Sequence, residues 1–363
     1  MKIGFVSTYV MNNTQRRITA QAQSDLVKAS YEATTGRVYD PGLALGAKSS
    51  RFLDTESQIN YLNGLKDTNN LAALRMSASQ GAISSLVHAD KDGSAGVLNT
   101  FNKLLVGNDT IANAGELQSA AQSALDSFVS ALNTSYNGEY VFGGTNTAEP
   151  PLDYYKAGSN EGGSRIVQQA FRDHFGFSPD DPAAADITKE EMEAFIDGPF
   201  SDLFEEPGWN ASFSKADDTA KQNRISPSGE TVDISVSANA DGFRHAMRNL
   251  ILVAEFDNIG LSKDAQAAVN ERARIAADGK STGGAITEIV TTSSELGNSE
   301  ERVQRANERL DAQMTILNST RNTLIGVDQT EASYRIMAIQ NVLAVSYNLT
   351  AQISRLSLVN YLQ

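Results

Sequence analysis

The sequence predicts a mainly α fold: long antiparallel coiled-coil helical arms from both termini, with a smaller central α+β or β-rich inserted domain. Proline placement is the first sign. Seven of the eight prolines (Pro150, Pro151, Pro179, Pro182, Pro199, Pro207 and Pro227) lie between positions 150 and 227, and the other is Pro41. A proline inside a helix costs about 3 kcal/mol, so the proline-free flanks are open to long helices and the middle is not. Hydrophobic spacing is the second sign, since apolar residues on both flanks recur at alternating steps of three and four, the 3.5-residue period that keeps one seam facing a partner helix. Charge is the third. From Pro150 to Ser235 there are 17 Asp and Glu against 7 Lys and Arg, a balance of −10 within a chain total of −14. The expected division is therefore terminal helices over 1–45 and 326–363, a long-helix bundle with a small hairpin over 46–149 and 236–325, and an acidic insert over 150–235.

The elements follow in order. A first helix near 7–34 carries a thin stripe of Val6, Val10 and Val27 among the polar Arg16, Arg17, Gln21 and Gln23. Pro41, Gly42 and Gly46 break the chain before a second helix near 49–90, where Phe52, Ile59, Leu62, Ala73, Met76, Ile83 and Val87 form one ladder. Asp92, Gly93 and Gly96 make the next turn. A second ladder runs through Val97, Phe101, Leu104, Ile111, Leu125, Val129 and Leu132. Asn137-Gly138 is a strong hairpin dipeptide, and EYVFGG after it places a short strand at Tyr140–Phe142. TVDISVS at 231–237 alternates apolar and polar, the pattern of a strand leading out of the insert.

The longest ladder is Ile286, Ile289, Leu296, Val303, Leu310, Met314, Leu317 and Leu324, with Ser293, Glu300, Asn307 and Arg321 as polar rungs that fix register. A helix over 284–325 would be roughly 60 Å long at about 1.5 Å per residue. Ile59, Leu62, Met76, Ile83, Leu296, Val303, Leu310 and Leu317 are the expected helix-bundle core. From Glu331 onward no helix breaker appears, and Ile339, Val342, Leu349, Ile353 and Leu356 share a stripe with Ser346. A lone pair of terminal helices buries little, and isolated helices are marginal in water. These ends are therefore expected to need surfaces from other molecules. The candidate subunit-interface residues are Val6, Val10, Val27, Ile339, Val342, Leu349, Ile353 and Leu356.

Composition narrows the function. A net charge of −14 argues against nucleic acid or an anionic membrane surface as a partner. MKIGFVSTYVMNNTQRR does not have the form of a cleaved secretory signal, and no stretch reaches the roughly 20 apolar residues of a membrane helix. With no cysteine, zinc and thiol chemistry are improbable. His88, His174 and His245 lack metal-ligand spacing. GKST at 279–282 resembles the end of a phosphate loop, yet Arg274 stands where that motif needs glycine. GG at 143–144 and GGS at 162–164 read as turns. KEEMEAF at 189–195 matches no calcium loop and reads as a solvated helix face. No catalytic, cofactor or metal residues are assigned, and no enzymatic activity is expected.

TTGRVYDPGLALG at 34–46, EYVFGGTNT at 139–147, ELGNSEERVQRANERL at 295–310 and IQNVLAVSYNLTAQISRLSLVNYL near the end resemble, in that order, segments of the bacterial flagellin family. The Phe-Gly-Gly-Thr-Asn turn and the modest insert are most similar to its hook–filament junction branch (hook-associated protein 3). The resemblance covers both arms and not the insert. It implies a structural subunit of the extracellular flagellum joining hook to filament. The chain would be secreted unfolded by the flagellar type III export apparatus, with an export chaperone guarding its C-terminal helix. The terminal helices would pack with copies of itself as an inner assembly domain, between a hook-side junction protein and filament flagellin, and the acidic insert would face outward. A subunit of the filament itself is the alternative. An enzyme with its site in the insert and a secreted coiled-coil effector or adhesin are the competing classes.

Overall fold

The computed structural model describes residues 8–88, 95–107, 114–257, 260–277 and 284–361, and for residues 8, 106, 107, 114, 276, 277 and 354–361 the backbone alone. Val6, Ile111 and the GKST segment lie outside the described residues, and Leu356 falls where only the helix backbone is described. The fold is mainly α, with two small two-stranded sheets among the described residues. Contacts divide the chain into two compact units, one of residues 1–64 and 310–363, the other of residues 65–309.

The first unit holds α1 (Thr8–Thr35), α2 (Pro41–Leu45), the start of α3 (Ser49–Val87), the end of α11 (Ala285–Ile325) and α12 (Gln329–Tyr361). Neither α1 nor α12 contains glycine or proline, so nothing interrupts their backbone ladders. They run antiparallel. The Val327 N–H donates to the Gly36 carbonyl at 2.9 Å, the Val38 N–H to the Ile325 carbonyl at 2.9 Å, and Arg335 pairs with Glu32 at 2.9 Å. Asp328 starts α12 by accepting from the Thr330 N–H at 2.8 Å, and that bond holds its carboxyl below the usual range. In the same unit Arg321 of α11 reaches Glu56 of α3 at 3.4 Å, and Ile59, Leu62, Leu310 and Ile325 are buried.

The second unit adds α4 (Val97–Gly107), α5 (Ala114–Leu132), the hairpin β1–β2 (Ser135–Tyr136 and Glu139–Tyr140), α6 (Gly162–Phe175), α7 (Lys189–Phe195), α8 (Gly208–Ser212), the ribbon β3–β4 (Gln222–Arg224 and Thr231–Asp233), α9 (Asp241–Phe256) and α10 (Lys263–Ala277). The hairpin turns at Asn137 (φ 53°) and Gly138 (φ 82°), the left-handed pair that a tight two-residue turn requires. Arg75 on α3 donates to Glu139 at 2.9 Å and to the Tyr140 carbonyl at 2.7 Å, while Lys221 and Arg75 hold the Glu139 carboxyl below its usual range. The expected strand at Tyr140–Phe142 ends at Tyr140, because the chain bends at Val141 to enter the Gly143-Gly144 turn. A side chain on Gly143 would place its first carbon 2.0 Å from the Asn146 carbonyl oxygen, and one on Gly144 2.0 Å from that of Asp217. The glycine pair is thus required by close backbone approach. GGS at 162–164 opens α6 instead of making a turn.

In the middle segment, helices outnumber strands. Its two strands, β3 and β4, pair antiparallel with Asn223 opposite Val232, so a β-rich insert is not what the chain forms. The expected strand over 231–237 is paired over 231–233 only. Ile225, Val232 and Ile234 of this ribbon pack with Met76 and Ala72 of α3 and Leu296, Val303 and Ala306 of α11. An amide layer sits in that seam. Asn69, fully buried, donates to the Ile225 carbonyl at 3.1 Å and to Asn307 at 2.9 Å, and accepts from Asn223 at 3.0 Å.

The other contents of 150–235 do not form a core of their own. Phe171, Phe195 and Phe200 pack with Phe256 of α9 at ring-centroid distances of 5.6 to 5.9 Å, inside one cluster that also takes in α4, α5 and α10. Trp209 is enclosed there with its indole N–H donating to Asn239 at 2.7 Å. KEEMEAF, expected as a solvated helix face, forms α7 with one face solvated and the other buried. Thr188 and Glu191 form a capping box, Met192 and Phe195 point inward, and Glu190, Glu191 and Glu193 lie on the outer side.

Replacing Asn69 with alanine strips partners from the Ile225 carbonyl and the Asn307 side chain, and should cost about 1–3 kcal/mol in chemical denaturation; an unchanged midpoint would show the layer to be dispensable. Asp257 is buried at the end of α9, with one carboxylate oxygen lacking a partner among the described residues; desolvation pushes its pKa up to about 6, against smaller opposing contributions from Gln266 and Asn270. A raised folded pKa means that stability is gained below that pH and lost as pH rises through it. Asp257→Asn should therefore raise the melting temperature relative to the parent above pH 6, with the gain shrinking as pH falls to 5, as read by thermal melts across that range.

Candidate functional site

Several polar groups are buried in the second unit. The densest group is Glu255 on α9, which accepts from the Tyr155 hydroxyl at 2.7 Å, the Ser164 hydroxyl at 2.5 Å and the Gly158 N–H at 3.2 Å. Burial pushes the Glu255 carboxyl up, and burial followed by the neighbouring carboxylate pushes the Tyr155 phenol up. All three side chains are closed to solvent, so the group fastens residues 155–164 to α9 and has no opening for a substrate. A cavity between Leu98, Asn102, Ala246 and Leu250 measures about 10 Å³, no more than a water's space. His245 hydrogen-bonds Glu288 at 2.7 Å with no serine or threonine nucleophile in the contact. Among the described residues no group of three or more His, Asp or Glu side chains is placed to hold a metal.

Among the described residues, the outside of the α1–α12 pair has room for a partner. Its inner seam sets alanines of α1 against a mixed face of α12. On α1 the buried positions are Gln15, Ala22 and Ala29, each seven apart. On α12 they are Ala332, Leu343, Ser346 and Ile353, with Ile339 half-buried between them. Alanines let two backbones approach closely, and Gln15 reaches across to the Ser346 carbonyl at 3.2 Å.

The predicted interface residues separate on this geometry. Ile353 is 3% exposed and belongs to the inner seam of its own chain. Val10 (53% exposed), Val27 (61%), Val342 (47%) and Leu349 lie on the outer side. Sequence reasoning missed Val345, 66% exposed, and with it Tyr334, Met337 and Tyr347 on α12 and Tyr9, Met11, Ile18 and Tyr31 on α1. The signal was the alanine repeat at 22 and 29: it marks the inside of α1, which leaves the valines outside. Of the predicted bundle-core residues, Ile59, Leu62, Met76, Ile83, Leu296, Val303 and Leu310 are buried and Leu317 is half-buried.

Along this outer face runs a groove of about 480 Å³, floored by Ile18, Ala22, Ala338, Ile339 and Val342 and edged by Arg17, Asp25 and Arg335. Large apolar side chains exposed on both of two packed helices mark surfaces suited to being covered. Among the described residues no helix is long and apolar enough to cross a membrane.

Residues 6–147 match the bacterial flagellin N-terminal helical region, and residues 280–362 match the bacterial flagellin C-terminal helical region. No curated protein matches the chain. A solved structure assigned to a flagellar hook-associated protein of Vibrio parahaemolyticus is similar in fold, with 12% sequence identity and a TM-score of 0.51, over 77% of this chain and 97% of that one.

The seam and the outer face should respond differently to charge. Leu343→Asp buries a carboxylate between α1 and α12 and should cost several kcal/mol, with loss of helical circular dichroism. Val345→Asp, on the outside, should leave the monomer's melting within about 0.5 kcal/mol of the parent.

Proposed function

Because the chain belongs to the bacterial flagellin family, its two helical regions matched at opposite ends, we propose that it is the subunit that joins hook to filament, assembled outside the cell through its terminal helices. At the family level it is a structural subunit of the flagellum. The observation that carries the mechanism is the exposed apolar row on α1 and α12. Both helices already satisfy their inner seam against each other, so further burial needs other molecules. Covering a valine or leucine of that row contributes roughly 1.5–3 kcal/mol each, enough for several such contacts to hold a subunit in place.

Burial on two helices that lie side by side also explains the secretion expected of such a chain. The pairing of residues near 15 with residues near 346 exists only once both ends have left the channel. Transit as an unfolded chain, with a chaperone covering α12, keeps the apolar row from aggregating beforehand. The partners proposed are copies of itself, the hook-side junction protein and filament flagellin, with the acidic middle segment outward in water. The Gly143-Gly144 turn and the modest middle segment favour the junction over the filament shaft.

Location separates the two. In cells whose own copy is replaced by an epitope-tagged chain, electron microscopy should show label in a single band between hook and filament. Label along the whole filament would make the chain a filament subunit instead. Val345→Asp should abolish the band while the purified variant keeps its melting temperature; a full band would remove the outer face from the mechanism.

A further inference from the structure

The turn between α1 and α3 presents an apolar side chain with no cover. α2 is a single turn, Pro41–Leu45, and none of its residues is buried. It is nonetheless firmly built. The Asp40 carboxylate accepts from the Leu43 N–H at 3.1 Å, the Ser49 hydroxyl donates to the Gly46 carbonyl at 2.8 Å, and Pro41 fixes the first helical residue. Tyr39 packs edge-on against Tyr31 at 5.5 Å, and its N–H donates to Glu32. On this support Leu43 stands 84% exposed, the most exposed large hydrophobic side chain among the described residues, with Asp40 and Tyr39 beside it. A stiff turn that holds a leucine in water gains nothing within its own chain.

The groove on α1–α12 is its complement. Its floor is apolar, and one rim carries Arg17, which is exposed and makes no ion pair among the described residues. Its volume lies within the roughly 300–1,000 Å³ of pockets that enclose a small ligand, ample for a leucine and its neighbours. Leu43 does not fill this groove in its own chain, since it is open to water. Tyr39 ties the turn near Tyr31 and Glu32, whereas the groove is centred near Ile18 to Ala22, roughly 15–20 Å further along α1 at about 1.5 Å per residue.

We propose that Leu43 of one copy seats in the α1–α12 groove of a second copy, with Asp40 set against Arg17 of that copy. The contact joins two different surfaces, so each copy keeps a free turn and a free groove, and it propagates in one direction without closing a dimer. It rests on the assembly reading above and specifies which surfaces meet.

The chain has no cysteine, so single introduced thiols report contacts without background. Leu43→Cys and Ile18→Cys variants are mixed in equal amounts, assembled, and treated with a short bismaleimide. The proposal expects a linked dimer from the mixture in clear excess over Leu43→Cys mixed with Tyr154→Cys, an exposed position in the other unit. Separately, Leu43→Asp should raise the concentration needed for assembly at least about tenfold, the value of one buried leucine, with monomer melting unchanged. Normal assembly without excess cross-linking and without a Leu43→Asp effect would overturn the knob and groove and leave assembly by the terminal helices standing. Failure of the unmodified chain to assemble with itself would overturn both.

Discussion

The inner seam between α1 and α12 is the constraint on which the functional surface depends. Gln15, Ala22 and Ala29 recur every seven residues on one helix, against Ala332, Leu343, Ser346 and Ile353 on the other. Small side chains here have two effects. They let the helices lie close, and they leave Val10, Ile18, Val27 and Tyr31 outside and Leu26 half-buried. A seam of leucines would have made a self-sufficient hairpin. A seam with alanines on the α1 side makes a pair that holds its shape yet leaves large apolar side chains exposed on its outside.

The second unit is built on the opposite principle. Its large aromatic and aliphatic cluster points inward, and buried polar side chains tie its elements together. Asn69 joins α3, α11 and the β3–β4 ribbon through three hydrogen bonds, and Glu255 joins the start of the middle segment to α9 through another set. Glu230 at the ribbon tip pairs with Arg302 and Arg309 of α11 at 3.1 and 3.2 Å, although such exposed pairs add little energy. Buried amide layers contribute register more than stability, which suits two long helices whose 3.5-residue ladders would fit equally well one heptad out of step.

The α3 and α11 seam was legible in the sequence because its rungs are large: Ile59, Met76, Ile83, Leu296 and Val303 stand out against polar neighbours and all are buried. The inside of α1 was not, because alanine is both a common surface residue and a seam residue, and a search for bulky stripes selects Val10 and Val27, which face out. Ile353 shows the same difficulty on α12: two overlapping three-four ladders share Ile339, Ser346 and Ile353, and only the partner helix decides which ladder is inside. The middle segment was the least legible. Its core joins Phe171, Phe195 and Phe200 to Phe256, residues up to 85 positions apart on short helices, so no local period announces it. Proline and charge marked where long helices stop, but not that the segment shares its aromatic core with its flanks.

The most direct measurement is hydrogen–deuterium exchange of the backbone, compared between monomer and assembled protein. Exchange reports local opening, and burial between subunits closes the helices that are covered. The account predicts added protection over residues 8–35 and 329–361 on assembly, with little change in α9 and the aromatic cluster around Phe256. Protection that rises instead in the middle segment, with α1 and α12 exchanging as in the monomer, would contradict it.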